Sequence, residues 1–165
     1  MAATIQIHEL TTNADTGVDK TSSTVRFKAV ASTTSTTVDA NDPLVVPGAG
    51  TNYSYVKKLR AYMSAAPNTN ISNMRWYSDG SSGFGTGVAC TAKNLGTTFG
   101  THYNTAMSGG SSLFGYTSGS PLDGDGTDTG PFVPADNTTY IGDIIELQIS
   151  VASTATNGAL SAETL

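Results

Sequence analysis

Apolar and polar residues alternate with a period of two along much of the chain, most clearly from Tyr140 to Val151. There Ile141, Ile145, Leu147, Ile149 and Val151 share one side while Glu146, Gln148 and Ser150 take the other, which predicts a strand with an inward and an outward face. Ile5 and Ile7, with Glu9 in phase, alternate with Thr4, Gln6 and His8 to give a first strand. Val25, Phe27 and Ala29 alternate with Arg26, Lys28 and Val30, and Leu44 to Pro47 is a short apolar strand closed by Pro47-Gly48. From Tyr53 to Ser64, Tyr55, Lys57, Leu59, Ala61 and Met63 fall on one face and Val56, Lys58, Arg60 and Tyr62 on the other. Helical spacing through Val56, Leu59 and Met63 competes. The tyrosines and the absence of a helix cap favour strand.

Between these stretches the sequence is turn-rich. Thr11 to Thr24 is polar and reads as a long loop or an extended arm; Ser32 to Thr37 is β-compatible until Asn41-Asp42-Pro43 breaks it. Asn70 to Val88 has strand character in Ile71 to Tyr77, a tight-turn Asp79-Gly80, and then Gly83, Gly85 and Gly87, before Val88 to Lys93 resumes an extended pattern. Phe99 to Met107 and Ser112 to Thr117 carry weaker strand signals. Asp123 to Asn137 is a Gly, Asp and Pro loop. Ala155 to Gly158 reads as a turn and Ser161 to Leu165 as the opening of a last strand.

Composition agrees with the pattern. The 26 Thr, 18 Ser and 18 Gly suit pleated, half-exposed surfaces better than helices. A length of 165 residues fits one compact domain. The expected organisation is an N-terminal strand and polar arm over residues 1–24 and a β domain over 25–165. The expected fold class is all-β, an antiparallel β-sandwich of jelly-roll-like type.

Charge narrows the partners. A net charge of −5 with only 13% charged residues gives no general attraction for phosphate backbones, so nucleic acid is not expected as a partner. Arg26, Lys28, Lys57, Lys58 and Arg60 form two basic clusters that read as a solvated strand face. The N-terminus lacks the charge and apolar run of a leader, and no apolar run is long enough to span a membrane, which predicts a soluble protein made in a cytoplasm. Cys90, the single cysteine, sits between Ala89 and Thr91 and reads as a small core residue.

Catalysis needs titratable groups gathered together, and His8, His102 and scattered acids offer no evident nucleophile, base and orienting group. Both histidines read as surface residues, and no cofactor is expected. The glycine strings around Gly83 to Gly87 and Gly124 to Gly126 match no complete phosphate-binding motif and read as turns. Asp123, Asp125 and Asp128 are the metal-ligand candidates, since carboxylates separated by glycine can bend oxygens around a hard cation. An EF-hand would place glycine at Asp128 and a bidentate acid at Pro134, so a solvated acidic turn is the favoured reading. Trp76, Tyr77, Phe84, Tyr116 and Phe132 could line a sugar-binding groove, although Trp76 in mid-strand is more simply core.

Three blocks carry a resemblance to a family of tailed-bacteriophage virion proteins. The first is Ile71-Ser72-Asn73-Met74-Arg75-Trp76-Tyr77-Ser78-Asp79-Gly80 followed by Gly85-Thr86-Gly87-Val88; the second is Gly115 to Leu122; the third is Gly142 to Ile149. The resemblance implies a virion accessory protein of the capsid-decoration type, located on the capsid surface. Its expected partners are the major capsid protein and further copies of itself, as a homotrimer or other homo-oligomer. Thr11, Thr12, Asp15, Val18 and Lys20 are the candidate contact residues of the arm. The alternatives are a head or tail fibre component, an adsorption protein, or a carbohydrate-binding β-sandwich module.

Overall fold

A computed structural model describes residues 3–10, 17–29, 42–65, 70–133, 135 and 138–156. Its strands are β1 (Thr4–Leu10), β2 (Gly17–Asp19), β3 (Thr51–Tyr53), β4 (Lys57–Ala65), β5 (Arg75–Trp76), β6 (Val88–Asn94), β7 (Ser111–Ser112), β8 (Leu122–Asp123) and β9 (Thr139–Ala152). Seven of them form one antiparallel sheet in the order β2-β1-β4-β9-β6-β7, with β3 also paired to β9. The chain is therefore all-β, as its alternation predicts. The second sheet found among the described residues is a two-stranded ribbon of β5 and β8. The second layer is thus mostly irregular chain, where a sandwich would place another full sheet.

The spine is β9. One of its edges takes β4 along 139–147 and then β3 along 150–152, and the other takes β6. Between β3 and β4, Ser54 stays attached: its N–H donates to the Ile149 carbonyl at 2.8 Å and its hydroxyl accepts from the Ile149 N–H at 3.0 Å. On one face of this sheet Leu59, Cys90, Ala92, Ile145, Leu147, Ile149 and Val151 form the main core. A smaller core joins Ala61, Met63, Ile141 and Phe132. Burial of each large aliphatic side chain contributes about 1.5 to 3 kcal/mol, so these rows are what hold the layers together.

Several expected strands are covering segments instead. Val25 to Ala29 and Leu44 to Pro47 form no ladder; Val25, Phe27, Leu44 and Val46 lie half-buried over the main core. Their alternation is real, but they pack on top of the sheet rather than beside it. Ile71 to Tyr77 forms a strand only at Arg75–Trp76, and it pairs with β8 rather than folding back onto β6. Phe99 to Met107 is not a strand, and Leu113–Gly115 is a 3-10 turn. Within the polar stretch Thr11 to Thr24, residues 17–19 are β2, hairpin partner of β1. Part of the expected arm is sheet. Within the expected loop Asp123 to Asn137, Leu122–Asp123 is β8 and Phe132 bridges to Ile71. Ser32 to Thr37 and Ser161 to Leu165 lie outside the described residues.

One irregularity positions the polar groups described next. In the β4–β9 ladder Leu59 pairs with Ile145 and Ala61 with Ile141, so Arg60 alone opposes residues 142–144. Gly142 turns this bulge at φ +69°, and a Cβ there would lie 2.6 Å from the Gly124 carbonyl oxygen. No other residue fits. The bulge aims the Asp143 N–H at Gly124 O, 2.7 Å away, and the Ile144 N–H at Gly96 O, 2.8 Å away.

Candidate functional site

The face of the sheet opposite the main core is charged and yet buried. Of the eight lysines and arginines, Lys20, Lys28, Lys57, Lys58 and Arg60 are all buried, as are Glu9, Asp143, Glu146 and Gln148. Lys58, Arg60, Glu146 and Gln148 lie on the face opposite the main core, whereas Lys57 and Glu9 pair with Leu147 and Leu59 and so share the core-bearing face. The basic clusters are therefore no solvated face, and Glu146 and Gln148 do not point outward to water. What covers their row is the excursion of residues 95–110 between β6 and β7. Lys58 Nζ donates to the carbonyls of Phe99 and Thr101, and lies 3.7 Å from Glu146 Oε1. Lys93 Nζ is 3.3 Å from Glu146 Oε2, to which the Tyr103 hydroxyl donates at 2.7 Å. Gln148 Nε2 donates to Ser54 O and Thr105 O, and its Oε1 accepts the Met107 N–H. Buried charges persist only when paired in this way, because desolvation of an unpaired ion costs several kcal/mol.

Titration follows from that burial. Burial holds the Lys58 ammonium below the ordinary lysine range, and Glu146 opposes the shift. The Tyr103 phenol is pushed well up, first by burial and then by its bond to the Glu146 carboxylate. His102 is held low by burial and by Lys58 and Lys57. His8, expected at the surface, is 9% exposed: its ring stacks on Tyr62 with centroids 4.6 Å apart and Nδ1 lies 3.0 Å from the Tyr140 hydroxyl. Burial holds it low as well. A histidine locked between two tyrosine rings serves packing, and the polar face it lies on is covered rather than solvated.

The aspartate loop is wired by arginines. Arg75 donates to Asp123 Oδ1 at 2.6 Å and Asp125 Oδ1 at 2.7 Å, and Arg60 donates to Asp128 Oδ2 at 2.9 Å. Burial alone would raise the Asp125 carboxyl, but bonds from the Met74 N–H and Arg75 bring it below the usual carboxylate range. Asp143, on the bulge, accepts the N–H groups of Thr127 and Asp128 and the Asn94 amide. The three candidate ligands Asp123, Asp125 and Asp128 thus point to guanidinium groups, and no cluster of three or more His, Cys, Asp or Glu able to hold a metal occurs among the described residues. Asp143 and Asn94 organise this loop, and sequence reasoning missed both. The available signal was Gly142, which breaks the period between Ile141 and Ile145 and marks a bulge.

The aromatic candidates do not form a groove. Trp76, Tyr77 and Tyr116 join Leu59, Leu113, Leu122, Ile145 and Leu147 around a cavity of about 10 Å³, the size of one water. Phe132 is 6% exposed in the smaller core, and Phe84 packs edge-on against Phe114 at 5.7 Å. Tyr77 is exposed. Cys90 is buried in the main core, as its small neighbours suggest.

Of the candidate contact residues, Thr11, Thr12 and Asp15 lie outside the described residues. Val18 is exposed on β2. Lys20 is buried with its Nζ 3.9 Å from Glu9 Oε2, while Lys57 donates to Glu9 Oε1 at 2.7 Å, so the Lys20 ammonium faces inward rather than toward a partner. No helix among the described residues is long and apolar enough to cross a membrane. Comparison with protein-family models, curated proteins and solved structures finds no match to this chain.

Proposed function

We propose that this chain is a structural protein of a tailed-bacteriophage virion, a decoration protein that binds the outer surface of the head and reinforces contacts between capsid subunits without catalysing a reaction. The observation that carries the reading is where the three resembling blocks lie. Trp76 of the first pairs with Leu122 of the second in the β5–β8 ribbon, and both line one apolar cluster with Tyr116 of the second and Ile145 and Leu147 of the third. Blocks that are far apart in sequence thus meet in one packing nucleus, as segments of a shared fold do.

The exterior fits such a role. With five of eight cations buried, and the accessible Arg75 and Lys93 in ion pairs, little unpaired positive charge stands on the described surface, which is rich in Ser, Thr, Gly and Asn. That exterior favours close packing against a protein surface over phosphate binding. The test is to add purified protein to heads assembled without it and to locate it by cryo-microscopy. Density on the outer capsid lattice supports the assignment. Occupancy only on tails or fibres replaces it with the fibre or adsorption reading, and binding to glycans but not to heads replaces it with the carbohydrate-binding one.

A further inference from the structure

Residues 97–108 cross the charged face of the sheet as a strap that turns at Gly100, where φ is +63°, and its backbone is gripped at alternate residues. The carbonyls of Phe99 and Thr101 accept from Lys58 Nζ, that of Tyr103 from the Val56 N–H at 3.0 Å, and that of Thr105 from Gln148 Nε2 at 2.9 Å. Farther along, the Met107 N–H donates to Gln148 Oε1 at 2.9 Å and Lys93 Nζ to Ser108 O at 3.1 Å. No residue of the strap belongs to a ladder. Glycines at positive φ stand at both ends, Gly96 at +62° and Gly109 at +74°, where they can absorb a change of direction. The strap rests on polar groups rather than on either apolar core, so its release would leave both cores buried.

His102 sits half-buried in the middle of this strap, its ring 5.3 Å from that of Phe99. Lys57 and Lys58 of β4 and Glu146 of β9 are the charged groups that act on it. The carboxylate there, Glu146, is already engaged by Lys58, Lys93 and Tyr103, and Lys58 Nζ is bonded to the carbonyls of Phe99 and Thr101 on the strap beside the His102 ring. A proton on the imidazole therefore adds a cation beside Lys58, where the one carboxylate, Glu146, is already shared among Lys58, Lys93 and Tyr103.

We propose that residues 97–108 form a latch, seated on the sheet while His102 is neutral and released when it is protonated, with the sheet itself intact. Burial and the two lysines hold His102 below the ordinary histidine value of 6.5 in the seated state. The released strap regains that value, so the open form binds the proton more readily and gains population as pH falls below about 6.5. The latch is closed at neutral pH and opens in mild acid.

Amide exchange followed by NMR on the full chain at pH 7 and pH 5, compared as protection factors, tests this. The Val56 and Met107 N–H groups have their acceptors across the strap contact, so both should lose protection several-fold at pH 5 while the ladder amides of β9 keep theirs. His102→Gln should abolish that loss, and His8→Gln, which removes the other low-titrating histidine, should not. Unchanged protection at Val56 and Met107, equal loss throughout β9, or the same loss in His102→Gln overturns the latch. Should His102→Gln fail to fold, the ring of His102 in the native chain decides: its titration midpoint must coincide with the opening of Val56, and a mismatch overturns the proposal.

Discussion

Lys58 and Glu146 face each other across the β4–β9 ladder with Nζ 3.7 Å from Oε1, and their side chains are 0% and 2% exposed. A pair this dry is held by completeness, since removal of one partner leaves an uncompensated charge where water cannot reach it. Glu146→Leu should therefore destabilise the protein by about 3 to 5 kcal/mol in urea unfolding. The double substitution Lys58→Met with Glu146→Leu should recover part of that loss. A double variant as unstable as the sum of its two singles would mean that the residues do not act as a pair.

Leu147 pairs with Lys57 and Ala92 at the crossing of three strands and lies within the main core. Leu147→Ala should cost about 2 to 5 kcal/mol through lost burial and the cavity left behind. Gln148 is no surface reference for this measurement, because it is buried and holds Ser54 O, Thr105 O and the Met107 N–H. Ser118→Ala, at an exposed position, is the proper control. Equal midpoints for Leu147→Ala and that control would contradict the inward assignment.

The contrast between Leu147 and Gln148 marks what the sequence reveals. Period two correctly placed β1, β4, β6 and β9, and it sorted Ile145, Leu147, Ile149 and Val151 onto one face. Periodicity reports which residues share a face; it is silent on what covers that face. Glu146 and Lys58 alternate just as solvated residues would, and the segment that buries them, residues 95–110, carries only the weak strand signal of Phe99 to Met107, which does not say what it covers. The partners of the aspartate loop were hidden for a related reason. Arg75 lies some 50 residues from Asp123 and Asp125, and only the pairing of β5 with β8 brings them together.

Amine accessibility should read out the buried cations directly. Lys20, Lys28, Lys57 and Lys58 are each 6% exposed or less, whereas the Lys93 side chain is 23% exposed. An amine-acylating reagent applied to the native protein should modify Lys93 first and leave the other four unmodified until the protein is denatured. Rapid acylation of Lys58 in the folded state, located by peptide mass mapping, would place the charged face in solvent.

Divalent cations should leave thermal stability unchanged. Arg75 supplies the positive charge between Asp123 and Asp125, and Arg60 does so at Asp128, so an added cation would have to displace a guanidinium already bonded to each carboxylate. Melting curves with EDTA and with calcium should superimpose. A melting temperature that falls in EDTA, returns with calcium, and loses this response in Asp125→Ala would reveal a metal site in the loop.

Removal of residues 1–19 should unfold the protein rather than merely detach it from a partner. That deletion takes away β1 and β2, and β1 is an interior strand, paired along Thr4 to Glu9 with β4 and along His8 to Leu10 with β2. It also removes Glu9, whose carboxylate is the ion-pair partner of buried Lys57 and Lys20. Loss of a sheet strand and of the acid between two buried cations falls among the changes that exceed ordinary point-mutation costs. The truncated chain should show no cooperative melting transition. A truncated protein that melts cooperatively near the full-length temperature would show that the N-terminal segment is separable from the domain, and would restore it as an arm free to reach a neighbouring subunit.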